Sequence, residues 1–339
     1  MFRRPIVRVW GPSGRDLAGI WGQSLVSVKV TDNRGYESDT AEIVLRAEPP
    51  GWSFPPKGTL YRVELAWADG GPAFVGQYTV QRVGGGGDPG SGTTLRVTCR
   101  AADMVDKLKE VGSTHYDQKT AGDIFKDIAS KAGLSAVVAP EIAGIQMPYR
   151  LRWQQSAIDF ATALGDDVGA MVKAQMGRLV VTKRGEGKSA GGSALPPVEV
   201  RYDPNYRFEA EIEPRPQYSE MGGDWYDPAQ AQRRREKVQP GYSAGRHALM
   251  HPYPSQGEAK LGAEAAGREH GRNSGSGSFE MPGNPLAVAE APVICSGFGA
   301  DIDGTEWVCS SAEHVVEPEK GWITTVQVET KGSGDGKKK

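Results

Sequence analysis

Residues 31–45, TDNRGYESDTAEIVL, bring four carboxylates (Asp32, Glu37, Asp39, Glu42) and Arg34 into one short stretch. Paired carboxylates are what glycosidic acid/base chemistry or a hard metal ion requires. A glycosidase needs two carboxyls facing one cleft, one of them desolvated so that it keeps its proton. The flanks argue for something plainer. Val26, Val28 and Val30 alternate before the stretch, and Ile43 and Leu45 fall in phase at its end. Period-two alternation marks strands with one buried face. Asn33 and Gly35 tolerate positive φ, and Asp32 can close an Asx turn. The stretch therefore reads as a polar hairpin or loop, its charges solvated or touching a neighbouring subunit, with nothing in it that predicts desolvation.

The other chemistry-bearing groups are weaker. GEGKS (185–189) ends like a phosphate-binding loop in Gly187-Lys188-Ser189. The glycine that motif needs five residues before Gly187 is Thr182, and no helix follows. GGGGDPGSG (84–92) opens no helix, so it is no dinucleotide fingerprint; it reads as a flexible hairpin loop. His247 and His251 have the spacing of two ligands on a helix, but Pro252 and Pro254 follow and no HExxH glutamate is present. His115, His270 and His314 are scattered. Cys309 and His314 are five apart, which along a regular strand puts them on opposite faces. No G-x-S-x-G elbow occurs. Three cysteines (Cys99, Cys295, Cys309) without a CxxC argue against a disulfide framework and leave only a Cys295–Cys309 bridge open. Cys99 suits a small buried position in a strand. Residues 225–255 fit no simple element, and the RRREK run within them (233–237) reads as a solvated face or loop. No catalytic, cofactor-binding or metal residue is assigned, and no enzyme is expected.

A chain of 339 residues is long enough for two or three domains. With 38% apolar and 24% charged residues it can build cores, and a net charge of −2 removes any global electrostatic case for gripping nucleic acid or an anionic membrane. The 45 glycines and 23 prolines suit many turns between short strands. No window approaches the apolar length of a membrane span. MFRRPIVRVWG has no apolar core or cleavage site, so no signal peptide is expected there.

The elements follow from periodicity. Runs 25–30, 41–48, 61–68, 74–83 and 93–101 alternate as strands of an antiparallel barrel or sandwich. From about residue 102 the pattern becomes a small α+β unit. TAGDIFKDIASKAG (120–133) is a helix with Thr120 as cap, Asp123 at the capping-box position, an apolar stripe (Ala121, Ile124, Phe125, Ile128, Ala132) and Gly133 as stop. A second helix starts at Ser156, and 171–183 forms a hairpin turning near Gly177. Residues 183–197 read as a linker. Strands return at 198–202 and 207–212, a helix capped by Ser255 is predicted over 255–269, and closing strands run to 330.

LVSVKVTDNRGYESDTAEIVL, PPGWSFPPKGTLYRVELAW and FVGQYTVQRV, followed by RAADMVDKLKE, HYDQKTAGDIFKDIASKAGL, APEIAGIQMPY and QQSAIDFATALGDDVGAMVKAQMGRLVVTK, resemble the phage late control protein D family. These are tail or baseplate hub proteins of contractile-tailed phages. DGTEWVCSSAEHVVEPEKGWITTVQVE resembles the family's closing strands. The likeness spans most of residues 15–330 and is specific in order and spacing; 213–255 is its weakest part.

The resemblance implies an α+β, mainly β fold with two tube-like antiparallel β-barrel domains (1–104 and 198–330, the second with a helical insertion). A small α/β domain (105–184) lies between them, then a linker (185–197), and 331–339 is a disordered tail. It implies a homotrimeric ring of pseudo-sixfold symmetry joining a hexameric tail tube to a trimeric central spike on a separate polypeptide. Tape-measure protein and baseplate wedge proteins are further partners, DNA passes only in transit, and no cofactor or membrane insertion is implied. The place is the virion tail tip, assembled in the host bacterial cytoplasm. Hub halves of type VI secretion spike proteins are similar. The alternatives are the hub of a tailocin or other contractile injection device, and a cell-wall-degrading tail hydrolase. The hydrolase would need an extra domain, and no insert of that size is present.

Overall fold

The computed structural model describes residues 3–35, 37–48, 53–90, 92–101, 107–212, 218–239, 244–272, 275–317 and 321–331. The expected domain boundary at 104/105 and the tail beyond Lys331 lie outside them. The chain is mainly β. β1 (Pro5–Trp10), helix α1 (Leu17–Trp21), β2 (Leu25–Asn33), β3 (Thr40–Arg46), β4 (Leu60–Trp67), β5 (Phe74–Asp88) and β6 (Gly92–Arg100) form the first block. Its strands run β1-β4-β5-β6-β3-β2, all antiparallel. The alternation works as read: Tyr61, Val63, Leu65 and Trp67 of β4 are buried and join Val28, Val30, Ile43 and Val97 in one core. The glycine run expected as a loop is instead the far half of β5, with Gly84 to Gly87 paired opposite Arg96 to Thr93. A ladder of backbone hydrogen bonds needs no side chains, so the run is held as strand although its surface is exposed.

The α/β unit comprises β7 (Val111–Thr120), α2 (Ala121–Lys131), β8 (Ser135–Val138), α3 (Pro140–Ala143), β9 (Gln146–Ser156), α4 (Ala157–Asp167), β10 (Ala170–Gln175) and β11 (Arg178–Lys183). Both long helices start where the caps said. Thr120 and Asp123 form the reciprocal capping box, and Ser156 Oγ accepts from the Asp159 N–H. Ile124, Phe125 and Ile128 face Phe160, Leu164 and Leu179 in a separate core. The hairpin at 171–183 is β10–β11, and β8 adds to it in parallel.

The second block contains β12 (Val198–Arg201), β13 (Phe208–Ile212), β14 (Tyr218–Asp227), β15 (Gln232–Val238), β16 (Ala244–Ala248), α5 (Gln256–Arg272), β17 (Gly275–Pro282), β18 (Pro292–Ser296), α6 (Ala300–Asp303), β19 (Trp307–Glu317) and β20 (Gly321–Thr330). The two strand-rich blocks share one twelve-stranded sheet: beyond β2 it continues β19-β20-β17-β13, with β18 and β12 branching from β19. Two cores lie along it, one per block, and Val288 packs against both. Trp67 of β4 meets Trp322 of β20 with ring centroids 5.1 Å apart and donates its indole N–H to the Gly283 carbonyl at 2.9 Å. The expected linker is folded: the Ser189 N–H donates to the Ser193 carbonyl and the Leu195 N–H to the Gly187 carbonyl.

The stretch that fits no simple pattern is a three-stranded sheet, β15-β14-β16, covered by α5. RRREK is strand β15 rather than loop, and its cations face carboxylates of β14: Arg234–Asp227, Arg235–Asp224 and Lys237–Glu220. Helix α5 runs longer than predicted despite its glycines, because small residues let it lie close. A Cβ placed on Gly223 of β14 would sit 2.3 Å from the Ala259 carbonyl oxygen. Gly223→Val is therefore expected to push α5 off its sheet and cost about 1–3 kcal/mol, seen as a lower denaturation midpoint and faster proteolysis within 256–272.

Candidate functional site

The carboxylates of the opening stretch are where the sequence reading fails. β2 and β3 do form the hairpin, with Thr31 opposite Thr40. Two of its carboxylates are not at a solvated tip, because Asp32 and Asp39 pack against the chain's own α/β unit. Asp32 and Asp39 are 9% and 5% exposed, and Lys173 of β10, at 5%, lies between them. The Lys173 ammonium contacts Asp32 Oδ1 and sits 2.7 Å from Asp39 Oδ1. The Ala289 N–H donates to Asp32 Oδ2 at 2.7 Å, and the Asn33 N–H donates to Asp39 Oδ1 at 2.9 Å. Gly35, at φ 47, lets the chain pass Met171: a Cβ there would lie 2.9 Å from Met171 Cγ. Glu37 is exposed, and Glu42 lies 3.6 Å from Arg96 across the β3–β6 pair.

Burial, then the Asp32 charge, raise the Asp39 carboxyl to about 7 against the pull of Lys173. Burial alone would lower Lys173, but the two carboxylates more than offset it and hold its ammonium above the ordinary lysine range. Near neutral pH Lys173 thus stays an ammonium while Asp39 lies close to its own titration.

Arg34 extends the junction. Its Nε lies 2.6 Å from Glu290 Oε1, an ion contact without hydrogen-bond alignment, and its Nη1 donates to Glu329 Oε2 at 2.5 Å. Glu290 is 2% exposed, and its Oε2 accepts from the Gly185 N–H at 2.5 Å. Its backbone holds φ 71, strained for a residue with a side chain. A cavity of about 270 Å³ borders the junction, lined among others by Asp32, Asp39, Lys173, Tyr78, Thr182 and Glu290.

The remaining candidates fall elsewhere. A bulge between Cys309 and Ser311 resets the alternation of β19, so Cys309 and His314 share the buried face instead of opposing each other. His314 Nε2 donates to the Ala287 carbonyl and Nδ1 accepts from Thr324 Oγ1, both at 3.0 Å; a carbonyl can only accept, which fixes the tautomer. Burial pushes this imidazole down to about 4. All three cysteines are free and buried, and burial pushes the Cys99 and Cys295 thiols up to about 12 and Cys309 higher still. A neutral locked imidazole and protonated thiols make poor bases and nucleophiles. His247 stacks on Tyr218 at 4.8 Å and meets His270 of α5 at 5.6 Å, while His251 is exposed in the bend beyond β16. Lys188 lies 3.7 Å from Glu186 within its own turn. Among the described residues no group of three His, Cys, Asp or Glu is placed to hold a metal ion, and no helix is long and apolar enough to cross a membrane.

The site residues missed by sequence were Lys173 and Glu290; the sequence offers Arg34 in the opening stretch, but not its partners Glu290 and Glu329. Lys173 had left a signal: it is the one charge in the otherwise apolar or small run AMVKA (170–174), all five of which are buried.

No protein-family profile matches the chain. A curated relative does, along nearly its whole length. The probable baseplate hub protein of Escherichia phage P2 is 27% identical over 356 residues, covering 94% of this chain and 91% of the relative. The chain resembles phage baseplate hub proteins. Among solved structures, a tail protein from Neisseria meningitidis shares the fold with TM-score 0.67 at 12% identity, covering 98% of this chain and 99% of that one. A component of the E. coli type VI secretion system shares it with TM-score 0.55 at 7% identity, covering 93% and 76%. Phage tails and type VI machines thus both supply this fold, as the opening resemblance implied.

Two outcomes follow from the geometry. Lys173→Met strands two buried carboxylates and is expected to cost at least about 3 kcal/mol in denaturant unfolding, with Asp32→Asn and Asp39→Asn in the same chain recovering part. His314 has a folded value (about 4) below its ordinary 6.5, so the unfolded chain takes the proton first. The contribution of His314 is full above pH 6.5 and is lost as pH falls towards 4, by up to about 3 kcal/mol. An NMR titration should show its imidazole neutral down to about pH 4, and His314→Gln should flatten that part of the pH–stability curve.

Proposed function

We propose that this protein is the baseplate hub of a contractile tail, a non-enzymatic adaptor built as a homotrimeric ring. The observation that carries the reading is the match to a phage P2 hub protein over 94% of this chain and 91% of that one. Coverage at both ends of the comparison supports transfer of the whole role rather than of one module. In this reading each chain supplies two tube-like barrels, residues 1–104 and 198–330, with the α/β domain (105–184) between them. Three chains then present six similar units to a hexameric tail tube and three to a trimeric spike. A lumen continues the tube for tape-measure protein and DNA, and wedge proteins bind outside. The edge-to-edge union of the blocks at β2 and β19 supports this arrangement, since it fixes the spacing of two units within one chain. The likeness to a type VI component supports the wider class of contractile injection devices, which includes tailocins.

The experiment is light scattering and electron microscopy of the purified hub mixed with its spike partner. Threefold rings with a central channel are expected, and a stable compact monomer in that mixture overturns the reading. A cell-wall zymogram separates the hydrolase alternative: no clearing is expected, and clearing by the purified chain would replace the adaptor with an enzyme.

A further inference from the structure

The junction of Lys173, Asp32 and Asp39 has the composition of a reaction as well as of an ion pair. Amines and carboxylic acids do not condense in water, because they exist as ammonium and carboxylate and because water drives the reverse reaction. Three features of this site remove those obstacles. The three side chains are 5% (Lys173), 6% (Asp39) and 12% (Asp32) exposed, and Phe74 and Tyr78, themselves buried, line the same cavity. One lysine faces two carboxyls, so one can carry a proton while the other is attacked. The fold holds amine and acid in contact, which replaces a bimolecular encounter with an intramolecular one of high effective concentration.

We propose that Lys173 and Asp39 join through an intramolecular isopeptide bond, with Asp32 as the proton carrier. The starting state is the Lys173 ammonium, the Asp32 carboxylate and the protonated Asp39 carboxyl. Lys173 passes one proton to Asp32 and becomes a neutral amine. Its nitrogen lone pair attacks Asp39 Cγ, forming the N–C bond. Asp32 protonates the departing hydroxyl and takes a second proton from nitrogen, and the C–O bond breaks to release water. Lys173 begins with three protons and Asp39 with one; the amide keeps one, water leaves with two, and Asp32 retains one. Charge is zero at both ends, and nothing is oxidised or reduced. The bordering cavity, lined also by the hydroxyl of Thr182, which is buried and unpartnered, receives the water.

Asp39 rather than Asp32 is the acylated partner. Both oxygens of Asp32 are engaged, one by Lys173 and one by the Ala289 N–H, which suits a proton carrier that stays in place. Asp39 ends the loop between β2 and β3, held against Lys173 by the Ala101 N–H on its carbonyl and the Asn33 N–H on Oδ1, and no hydrogen bond among the described residues engages its Oδ2, the oxygen that leaves. Its tendency to keep a proton, set by burial and by Asp32, supplies the acid form the attack needs. The product would tie β3 to β10 covalently, joining the large sheet to the α/β unit in a chain whose cysteines are all free.

The test is mass spectrometry of the purified full-length chain under denaturing conditions, with the native fold verified first by circular dichroism. The expected intact mass, allowing for loss of Met1, is below the sequence mass by one water. Trypsin should then release a branched peptide joining residues 35–46 to 153–178, uncut after Lys173. Asp39→Asn should lose one ammonia instead of water, and Asp32→Asn should keep the full mass. A folded wild-type chain at full sequence mass overturns the proposal. So does a loss of water without the branched peptide, as from a succinimide. A branch mapped to Asp32, or one that forms undiminished in Asp32→Asn, overturns the assigned roles.

Discussion

Bringing the Lys173 ammonium between Asp32 and Asp39 as the chain folds constrains everything packed around it. Each ion loses hydration worth several kcal/mol, and only close, well-aligned partners restore it. The junction therefore demands that β2, the start of β3 and β10 be held in one fixed relation, although they belong to two different cores. The route of the chain through Gly35 is part of that demand, since a side chain there would collide with Met171. Arg34 spreads the same logic to a third region, reaching Glu290 and Glu329 of the second block. Glu290 keeps an unfavourable backbone angle while its carboxylate takes Arg34 on one side and the Gly185 N–H on the other. One six-residue connection thus touches all three parts of the molecule.

The features legible in the sequence are those whose causes are local. Caps at Thr120, Ser156 and Ser255 act within one helical turn, and each marks its helix start. Alternation in β4 needs only a buried face and a wet one. The misread features have distant causes. Whether Asp32 faces water depends on Lys173, which is remote in the chain and carries no local mark of its partner. The ribbon of β7 and β9 has no clean apolar alternation: Val111, Leu151 and Trp153 are exposed while Arg152 is buried. The glycine run of β5 had no side chains to reveal a pattern. The bulge in β19 shifts parity by one residue, and a period-two argument across it inverts the faces of Cys309 and His314.

The α/β unit is gripped from a second side as well. Arg150 of β9 lies 2.5 Å from Glu258 of α5, which is 3% exposed, and 3.6 Å from Asp167 of α4. Gly169 faces Ala265 of α5, so the surfaces meet with little between them. The first block therefore holds this unit through Lys173, and the insertion in the second block holds it through Arg150. Ion pairs at such contacts add less stability than apolar packing of equal volume would, because desolvation cancels much of the attraction. What they impose is direction, since a shift that apolar side chains would tolerate leaves a buried charge unpaired. Two such contacts on different faces fix orientation where a single one would leave a pivot.

That rigidity bears on how a single chain could serve in an assembly. The long sheet ends at β1 and β13, and the two edges differ. At β1, Pro5 lacks a donor, and the Val9 N–H is taken by Asp16 Oδ1 at 3.1 Å, so this edge is partly closed from within. At β13, Phe208 and Ile212 stand exposed beside Glu209 and Glu211, and among the described residues the strand pairs with β17 alone. An open edge with exposed apolar residues is a liability for an isolated chain and an asset in a closed ring. A ring closes only if each copy presents its edges at a fixed angle. Within this chain the relation of the two edges runs through the pairing of β2 with β19, and the Arg34–Glu329 contact and the packing of Trp67 on Trp322 both straddle the two blocks that this pairing joins.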